Sequence, residues 1–244
     1  MKHVNLSLAV LQHEREMGLG AFAGLLDRAG VHYELLTTGG ARLPDAAEFD
    51  GVLVLGGSLA ADDPALLETR RWIRNAVLRE VPILGVCLGG QLLATALGGS
   101  VGPALCPEIG VHDVFRTAKH DPLFSGLPGR FAAFGWHEDE FKLPPGAVSL
   151  AGSLACEHQA FRFGSNAYGL QFHSEVRTED LEQWPTVRAY AGLIERAAAR
   201  WDEVAAELDR VTPELDELAR KVLDGWLGLV TDRGAVGERL RVAA

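Results

Sequence analysis

Apolar positions along the first hundred residues alternate between short continuous runs and runs spaced three or four apart. The continuous runs are typical of buried strands and lie at about Leu6–Leu11, Tyr33–Thr37, Gly51–Gly57 and Val81–Val86. The helically spaced runs lie at about Leu19–Ala29, Ala65–Arg79 and Leu88–Leu97. This βαβαβα series predicts a doubly wound, mostly parallel sheet with helices on both faces, whose ligands gather at the carboxyl ends of the strands.

The middle third changes pattern to short predicted strands between turns rich in Gly, Pro and Asn, which we interpret as antiparallel strands added to one side of the sheet. From about Thr178 the chain is mostly helical. Thr212 and Pro213 fit the N-cap and first position of a last helix. We predict a domain over residues 1–178 and, over 179–244, a C-terminal helical extension packed on it. Its apolar residues also leave a homodimer as an option.

Composition narrows the functional classes. The formal net charge of −10 argues against nucleic acid or an anionic membrane as a partner. Three cysteines at no metal-like spacing favour a reducing, cytoplasmic setting and no metal. The first residues carry no signal-peptide core, and no apolar run approaches the roughly 20 residues that span a bilayer.

Cys87 lies at a predicted strand-to-helix turn, in "ILGVCLGGQ", with Gly85 and Gly89 two positions before and after it. This is the cysteine form of the nucleophile elbow, in which small flanking residues relieve a cramped turn. Such a turn aims a helix N-terminus at the sulfur, and it offers the Leu88 amide to an oxyanion. A buried structural cysteine is the simpler alternative for this motif alone.

A base and its orienting group follow in "YGLQFHSEV", where His173 ends a predicted strand and Glu175 lies two residues on. A third feature is Gly56-Gly57, which ends the strand of "LVLGGSLAADD" at the same predicted edge. Without a Cβ in the way, Gly57 is a natural second oxyanion donor.

Together these motifs resemble those of the class I (triad) glutamine amidotransferases, closest to freestanding proteins similar to the amidotransferase domain of GMP synthetase. The resemblance covers about residues 4 to 177 and implies the flavodoxin-like fold of that family. It makes Cys87 the nucleophile, His173 the base and Glu175 its orienting group, with Gly57 and Leu88 as the oxyanion hole. It also implies substrate-binding roles, which fall on Gly56, Gln91, Trp136, His137 and Asp139.

Two departures from the family pattern stand out. The usual F-H-P-E is here "FHSE", with Ser174 in place of proline. The chain also shows no P-loop and no synthetase domain, so a separate synthetase acting in trans would have to use the ammonia.

The expected activity is hydrolysis of the γ-amide of glutamine through a cysteine γ-glutamyl thioester, without a cofactor. One alternative is a stand-alone γ-glutamyl peptidase that cleaves γ-glutamyl amides. Another is a non-catalytic regulatory or scaffold protein on the same fold. A stress-response protein resembling DJ-1 fits less well, because that family lacks this H-x-E and C-x-G-x-Q combination.

Overall fold

A computed structural model describes residues 6–39, 42–187, 190–197 and 200–242. Parts of the predicted C-terminal helical run, residues 188–189, 198–199 and 243–244, lie outside the described residues. Within the described part, nine strands form one sheet in the order β2-β1-β3-β4-β9-β8-β7-β5-β6. The strands are β1 (Ser7–Gln12), β2 (His32–Thr37), β3 (Gly51–Val54), β4 (Ile83–Val86), β5 (Ser100–Arg116), β6 (Arg130–Lys142), β7 (Val148–Gly152), β8 (Ala160–Phe163) and β9 (Ala167–Leu170).

The helices are α1 (Ala21–Ala29), α2 (Leu67–Leu78), α3 (Leu88–Ala96), α4 (Thr178–Leu181), α5 (Ala191–Ala197) and α6 (Trp201–Val242). Short 3₁₀ turns cover Ala46–Glu48, Pro64–Leu66 and Trp184–Thr186. No helix in the described ranges is both long and apolar enough to cross a membrane.

The parallel half of the sheet comprises β2, β1, β3, β4 and β9. Every residue of β3 and β4 is buried, as expected for central strands covered on both faces. β4 pairs in register with β3 on one side and β9 on the other. The carboxyl ends of these three strands therefore meet at one edge of the sheet, where Gly56, Cys87 and His173 follow them.

The antiparallel half differs from the sequence prediction in the length of its strands. β5 has 17 residues and β6 has 13, and the two form a long ribbon at one edge of the sheet. The register shifts between Pro103 and Glu108, so the ribbon accommodates the Pro and Gly residues that suggested separate short strands. The ribbon also turns back over the sheet, because Phe134 of β6 forms an isolated antiparallel bridge with His173.

The predicted start of a last helix at Thr212 and Pro213 is wrong. Pro213 lies inside α6, and the Thr212 hydroxyl donates to the Leu208 carbonyl instead of capping a helix. Leu208 and Leu215 are both fully buried on either side of this point. Continuous packing of this apolar face outweighs the one backbone hydrogen bond that an exposed proline removes.

Helices cover both faces of the sheet. On one face α1 and α6 pack together, and their Leu26 and Trp226 belong to one buried cluster with Leu53 of β3. On the other face α2 and α3 pack together, with Ile73 and Leu92 in a second buried cluster. The architecture confirms the predicted doubly wound fold with added antiparallel strands and a C-terminal helical extension.

Candidate active site

The turn between β4 and α3 holds Cys87 in a backbone conformation that side chains rarely adopt, with φ 51° and ψ −111°. Its amide donates to the Leu170 carbonyl at 2.8 Å, which fixes the turn to β9. Glycine is required on both sides. A Cβ at Gly85 would lie 2.5 Å from the Gly89 carbonyl oxygen, and one at Gly89 would lie 2.1 Å from the Val54 oxygen. The predicted elbow is therefore present.

The two predicted oxyanion donors are neighbours. Leu88 is the first residue of α3, where amides have no acceptor within the helix. A Cβ added to Gly57 would lie 2.8 Å from the Leu88 side chain, so the two backbones approach closely. Gly56 is closer still to the reacting groups, because a Cβ there would lie 3.1 Å from His173 Cε1 and 3.7 Å from Cys87 Cβ. Only glycine leaves this space for a substrate.

Glu14 fixes the loop that follows Gly57, a role the sequence did not suggest. The Ser58 amide donates to both Glu14 carboxylate oxygens at 3.1 and 3.2 Å, and the Ser58 hydroxyl donates at 2.6 Å. Three bonds to one half-buried carboxylate hold the orientation of the preceding Gly57 peptide. Because Glu14 follows a different strand, β1, no local pattern connects it to this loop.

His173 and Glu175 form a buried pair. His173 Nδ1 lies 2.6 Å from Glu175 Oε1, and the imidazole is fully buried. The second carboxylate oxygen, Oε2, accepts the Ser174 amide at 3.0 Å. Proline has no amide hydrogen, so the departure from F-H-P-E supplies a bond that the usual sequence lacks. Backbone bonds between His173 and Phe134, at 2.8 and 3.1 Å, hold the base in place.

The pair is charged in the folded protein. Burial lowers the pKa of His173, but the Glu175 carboxylate and a Cys87 thiolate outweigh it and raise that pKa to about 10. Burial raises the pKa of Glu175, and the charge and hydrogen bond of His173 lower it on balance. His173 Nε2 is buried and has no hydrogen-bond partner among the described residues. The imidazole therefore has one ring nitrogen left for proton transfer.

Gln91 and the backbone of β6 border the thiol. The Gln91 side-chain amide donates to the Asp139 carbonyl at 3.2 Å and to Gln171 Oε1 at 3.3 Å. Gln171 Nε2 and the Trp136 carbonyl each lie 3.9 Å from Cys87 Sγ. Asp139 thus reaches this network through its carbonyl oxygen. Gln171, which lies two residues before His173, is a site residue that the sequence analysis did not single out.

The side chain of His137 points away from this border. Its Nε2 lies 3.0 Å from Glu108 Oε2, and its Nδ1 lies 3.1 Å from the Asp139 carbonyl oxygen. Both ring nitrogens therefore contact protein acceptors behind the wall that Trp136 and Asp139 form. Glu108 is a further residue that the sequence analysis missed.

An aromatic cluster encloses the reacting groups. The Trp136 ring lies 5.1 Å from Trp184, 5.9 Å from Tyr190 and 5.8 Å from Trp201, measured between centroids. The Trp184 ring lies 6.3 Å from the His173 ring, and Cys87 is only 6% exposed. The cluster joins β6 to the C-terminal helical segment, where helical spacing alone did not distinguish these aromatics from ordinary core residues.

The other two cysteines lack such surroundings. Cys106 is exposed, and burial raises the pKa of Cys156 to about 12. Among the described residues, no group of three or more His, Cys, Asp or Glu side chains is placed to hold a metal ion.

Comparison with known proteins gives one family. The family model described as glutamine amidotransferase class-I matches residues 28–186. A GMP synthase (glutamine-hydrolyzing) of Thermomicrobium roseum is 40% identical over 127 residues, which are 52% of this chain and 23% of that protein. A subunit of the glutamine-hydrolyzing GMP synthase of Methanocaldococcus jannaschii is 37% identical over 131 residues, 53% of this chain and 66% of that protein. The chain thus spans less than two thirds of either relative.

Solved structures extend the likeness over nearly the whole chain. A glutamine amidotransferase from Thermotoga maritima superposes with a TM-score of 0.82 at 29% identity, covering 93% of this chain and 99% of that one. A glutamine amido transferase from Methylobacillus flagellatus gives a TM-score of 0.81 at 26% identity, covering 93% of this chain and 96% of that one.

Proposed function

Because the chain belongs to the class-I glutamine amidotransferases, we propose that it hydrolyses the γ-amide of glutamine through a thioester at Cys87. The observation that carries the proposal is the strained Cys87 turn beside the buried His173–Glu175 pair. A merely structural cysteine has no need of an unfavourable backbone conformation or of an adjacent base with an unused nitrogen.

The reaction proceeds in two steps. The Cys87 thiolate attacks the γ-carbonyl carbon, and the oxyanion accepts hydrogen bonds from the Gly57 and Leu88 amides. The carbon–nitrogen bond breaks as His173 gives a proton to the leaving ammonia. His173 then takes a proton from water, the resulting hydroxide attacks the thioester, and glutamate leaves with the thiolate restored. Glu175 holds the imidazole in the orientation both steps need.

We also propose that a separate synthetase receives the ammonia. The M. jannaschii relative is named as one subunit of GMP synthase, so in that protein the glutamine-hydrolysing chain is separate. The T. maritima glutamine amidotransferase has nearly the same extent as this chain, which supports the same arrangement here. The enclosed thiol fits a site in which hydrolysis is slow until a partner opens it.

Two measurements test the proposal. A glutamine-like diazo-ketone should alkylate Cys87 alone, and Cys106→Ala is the matched control because it removes a more exposed thiol. Labelling that survives Cys87→Ala would refute the assigned nucleophile.

The second measurement is release of ammonia or amine from free glutamine and from a panel of γ-glutamyl amides. We expect slow ammonia release from glutamine by the isolated chain. Brisk cleavage of γ-glutamyl peptides with poor use of glutamine would favour the peptidase alternative, and no turnover of any substrate would favour a non-catalytic protein.

A further inference from the structure

Glu108 carries a buried carboxylate that none of the reaction steps uses. It lies on β5 directly opposite His137 of β6 and is 7% exposed. Its Oε1 accepts the Ser153 hydroxyl at 2.6 Å, and its Oε2 accepts the side chains of His137, at 3.0 Å, and Gln159. Burial raises the pKa of Glu108, but the bond from His137 and the other donors lower it on balance. The group is a buried anion with directed partners.

The contacts of the His137 ring determine how that anion acts. Its two nitrogens face a carboxylate oxygen of Glu108 and the carbonyl oxygen of Asp139, and neither of those atoms can donate. Only the doubly protonated imidazolium satisfies both. The Glu108 charge thus lets His137 donate to the Asp139 carbonyl, and it ties β5 to that one peptide of β6.

That peptide belongs to the wall of the site. The Asp139 carbonyl also accepts the Gln91 side chain at 3.2 Å, and Gln91 in turn donates to Gln171 at 3.3 Å. The neighbouring Trp136 carbonyl lies 3.9 Å from Cys87 Sγ. Backbone carbonyls at this wall are suited to accept from the ammonium group of an amino-acid substrate, and His137 lies between the two on the strand.

We propose that Glu108 is a positioning residue for substrate binding, which through His137 holds the Trp136–Asp139 wall and the Gln91 amide in the geometry that receives the amino-acid end of glutamine. The inference rests on the proposed function, since it assumes a glutamine-like substrate at Cys87. Glu108 lies away from the reacting atoms, so it affects ground state and transition state alike.

Glu108→Gln keeps the shape of the side chain and removes its charge. The amide leaves His137 without an anion, so the donor to the Asp139 carbonyl is lost. We expect KM for glutamine to rise about tenfold, the effect of losing roughly one charge-assisted hydrogen bond, while kcat stays within about threefold. A merely structural role would lower stability without separating KM from kcat.

His112→Gln is the matched control, because His112 Nε2 lies 3.6 Å from the other carboxylate oxygen of Glu108 but makes no contact with the β6 wall. We expect its KM to equal that of the wild type. If Glu108→Gln fails to fold in a thermal melt, His137→Gln replaces it. That side chain keeps a donor toward Glu108 and loses the contact to the Asp139 carbonyl, so it should raise KM in the same way.

Saturable alkylation separates this inference from the proposed function. For the glutamine-like diazo-ketone, the half-saturating concentration should rise about tenfold in Glu108→Gln while the limiting rate changes little. The rate with iodoacetamide, which has no amino-acid end, should not change. Equal half-saturation in a folded variant overturns the role of Glu108. A wild type that is saturably alkylated but releases no ammonia would refute turnover and leave the Glu108 comparison valid.

Discussion

Replacing Glu175 by glutamine forces a choice between two buried hydrogen bonds. Glu175 Oε1 accepts from His173 Nδ1 at 2.6 Å, and Oε2 accepts from the Ser174 amide at 3.0 Å. A carboxylate accepts at both oxygens, whereas a carboxamide accepts at only one. In one orientation the new NH₂ faces the Ser174 amide hydrogen. In the other it faces His173 Nδ1, which must then be an acceptor, so that Nε2 carries the proton and cannot serve as a base.

The balance between these orientations gives the size of the effect. Opposing two buried donors costs about 1–3 kcal/mol, so the orientation with the inactive tautomer is favoured by about 10- to 100-fold. The neutral amide also stabilises the imidazolium less than the carboxylate does. Together these losses place the expected fall in kcat at about 10²- to 10⁴-fold. His173→Ala removes the proton carrier itself and should abolish measurable turnover.

Ammonia release from glutamine measures this order directly, with thermal melts to show that both variants are folded. The variants His173→Ala and Glu175→Gln differ in whether a proton carrier remains. If Glu175→Gln proved more damaging than His173→Ala in equally folded proteins, the roles assigned to these two residues would be wrong. Wild-type kcat in Glu175→Gln would show that the buried carboxylate does not select the tautomer.

Three further outcomes are expected. The raised pKa of His173 adds stability that is full below its ordinary value of 6.5 and is lost as pH rises through about 10, while the lowered pKa of Glu175 adds stability above its ordinary 4.5. The excess unfolding free energy of the wild type over Glu175→Gln, from urea titrations, should therefore be largest near pH 6 and shrink toward pH 10; a constant difference contradicts the charged pair. Ser58→Ala should lower kcat by about tenfold, because it weakens the Glu14 clamp beside the oxyanion loop, and an unchanged kcat would show that the clamp is dispensable. Pro213→Ala should raise the unfolding free energy by about 2 kcal/mol, since it restores a helical hydrogen bond, and a lower melting temperature would show that the proline is needed.

Local patterns predicted the parts of the protein whose chemistry is local. The elbow follows from Gly85 and Gly89 around Cys87, because close backbone approach within a few residues leaves no other choice of side chain. The parallel half follows from fully buried apolar runs in β3 and β4. His173 and Glu175 lie close in sequence, so their contact could also be anticipated.

Contacts between distant segments could not be anticipated in this way. The cross-strand pair of Glu108 and His137 depends on the register of a ribbon whose length the sequence did not show. Similarly, Glu14 reaches the oxyanion loop from a different strand. The start signal at Pro213 failed for a related reason, because packing of the apolar face of α6 overrides a local preference.

The bridge between Phe134 and His173 sets an order of events in folding. β6 is the last strand of the sheet order, separated from β9 by β8, β7 and β5, yet its backbone closes onto the residue that follows β9. Such closure requires the antiparallel strands to be in place first, and the loop entropy it costs is repaid only at the end. During refolding, saturable alkylation of Cys87 by a glutamine-like reagent should therefore return after the circular dichroism signal of the sheet and helices. Recovery of the nucleophile is then a stricter clock of native assembly than recovery of secondary structure.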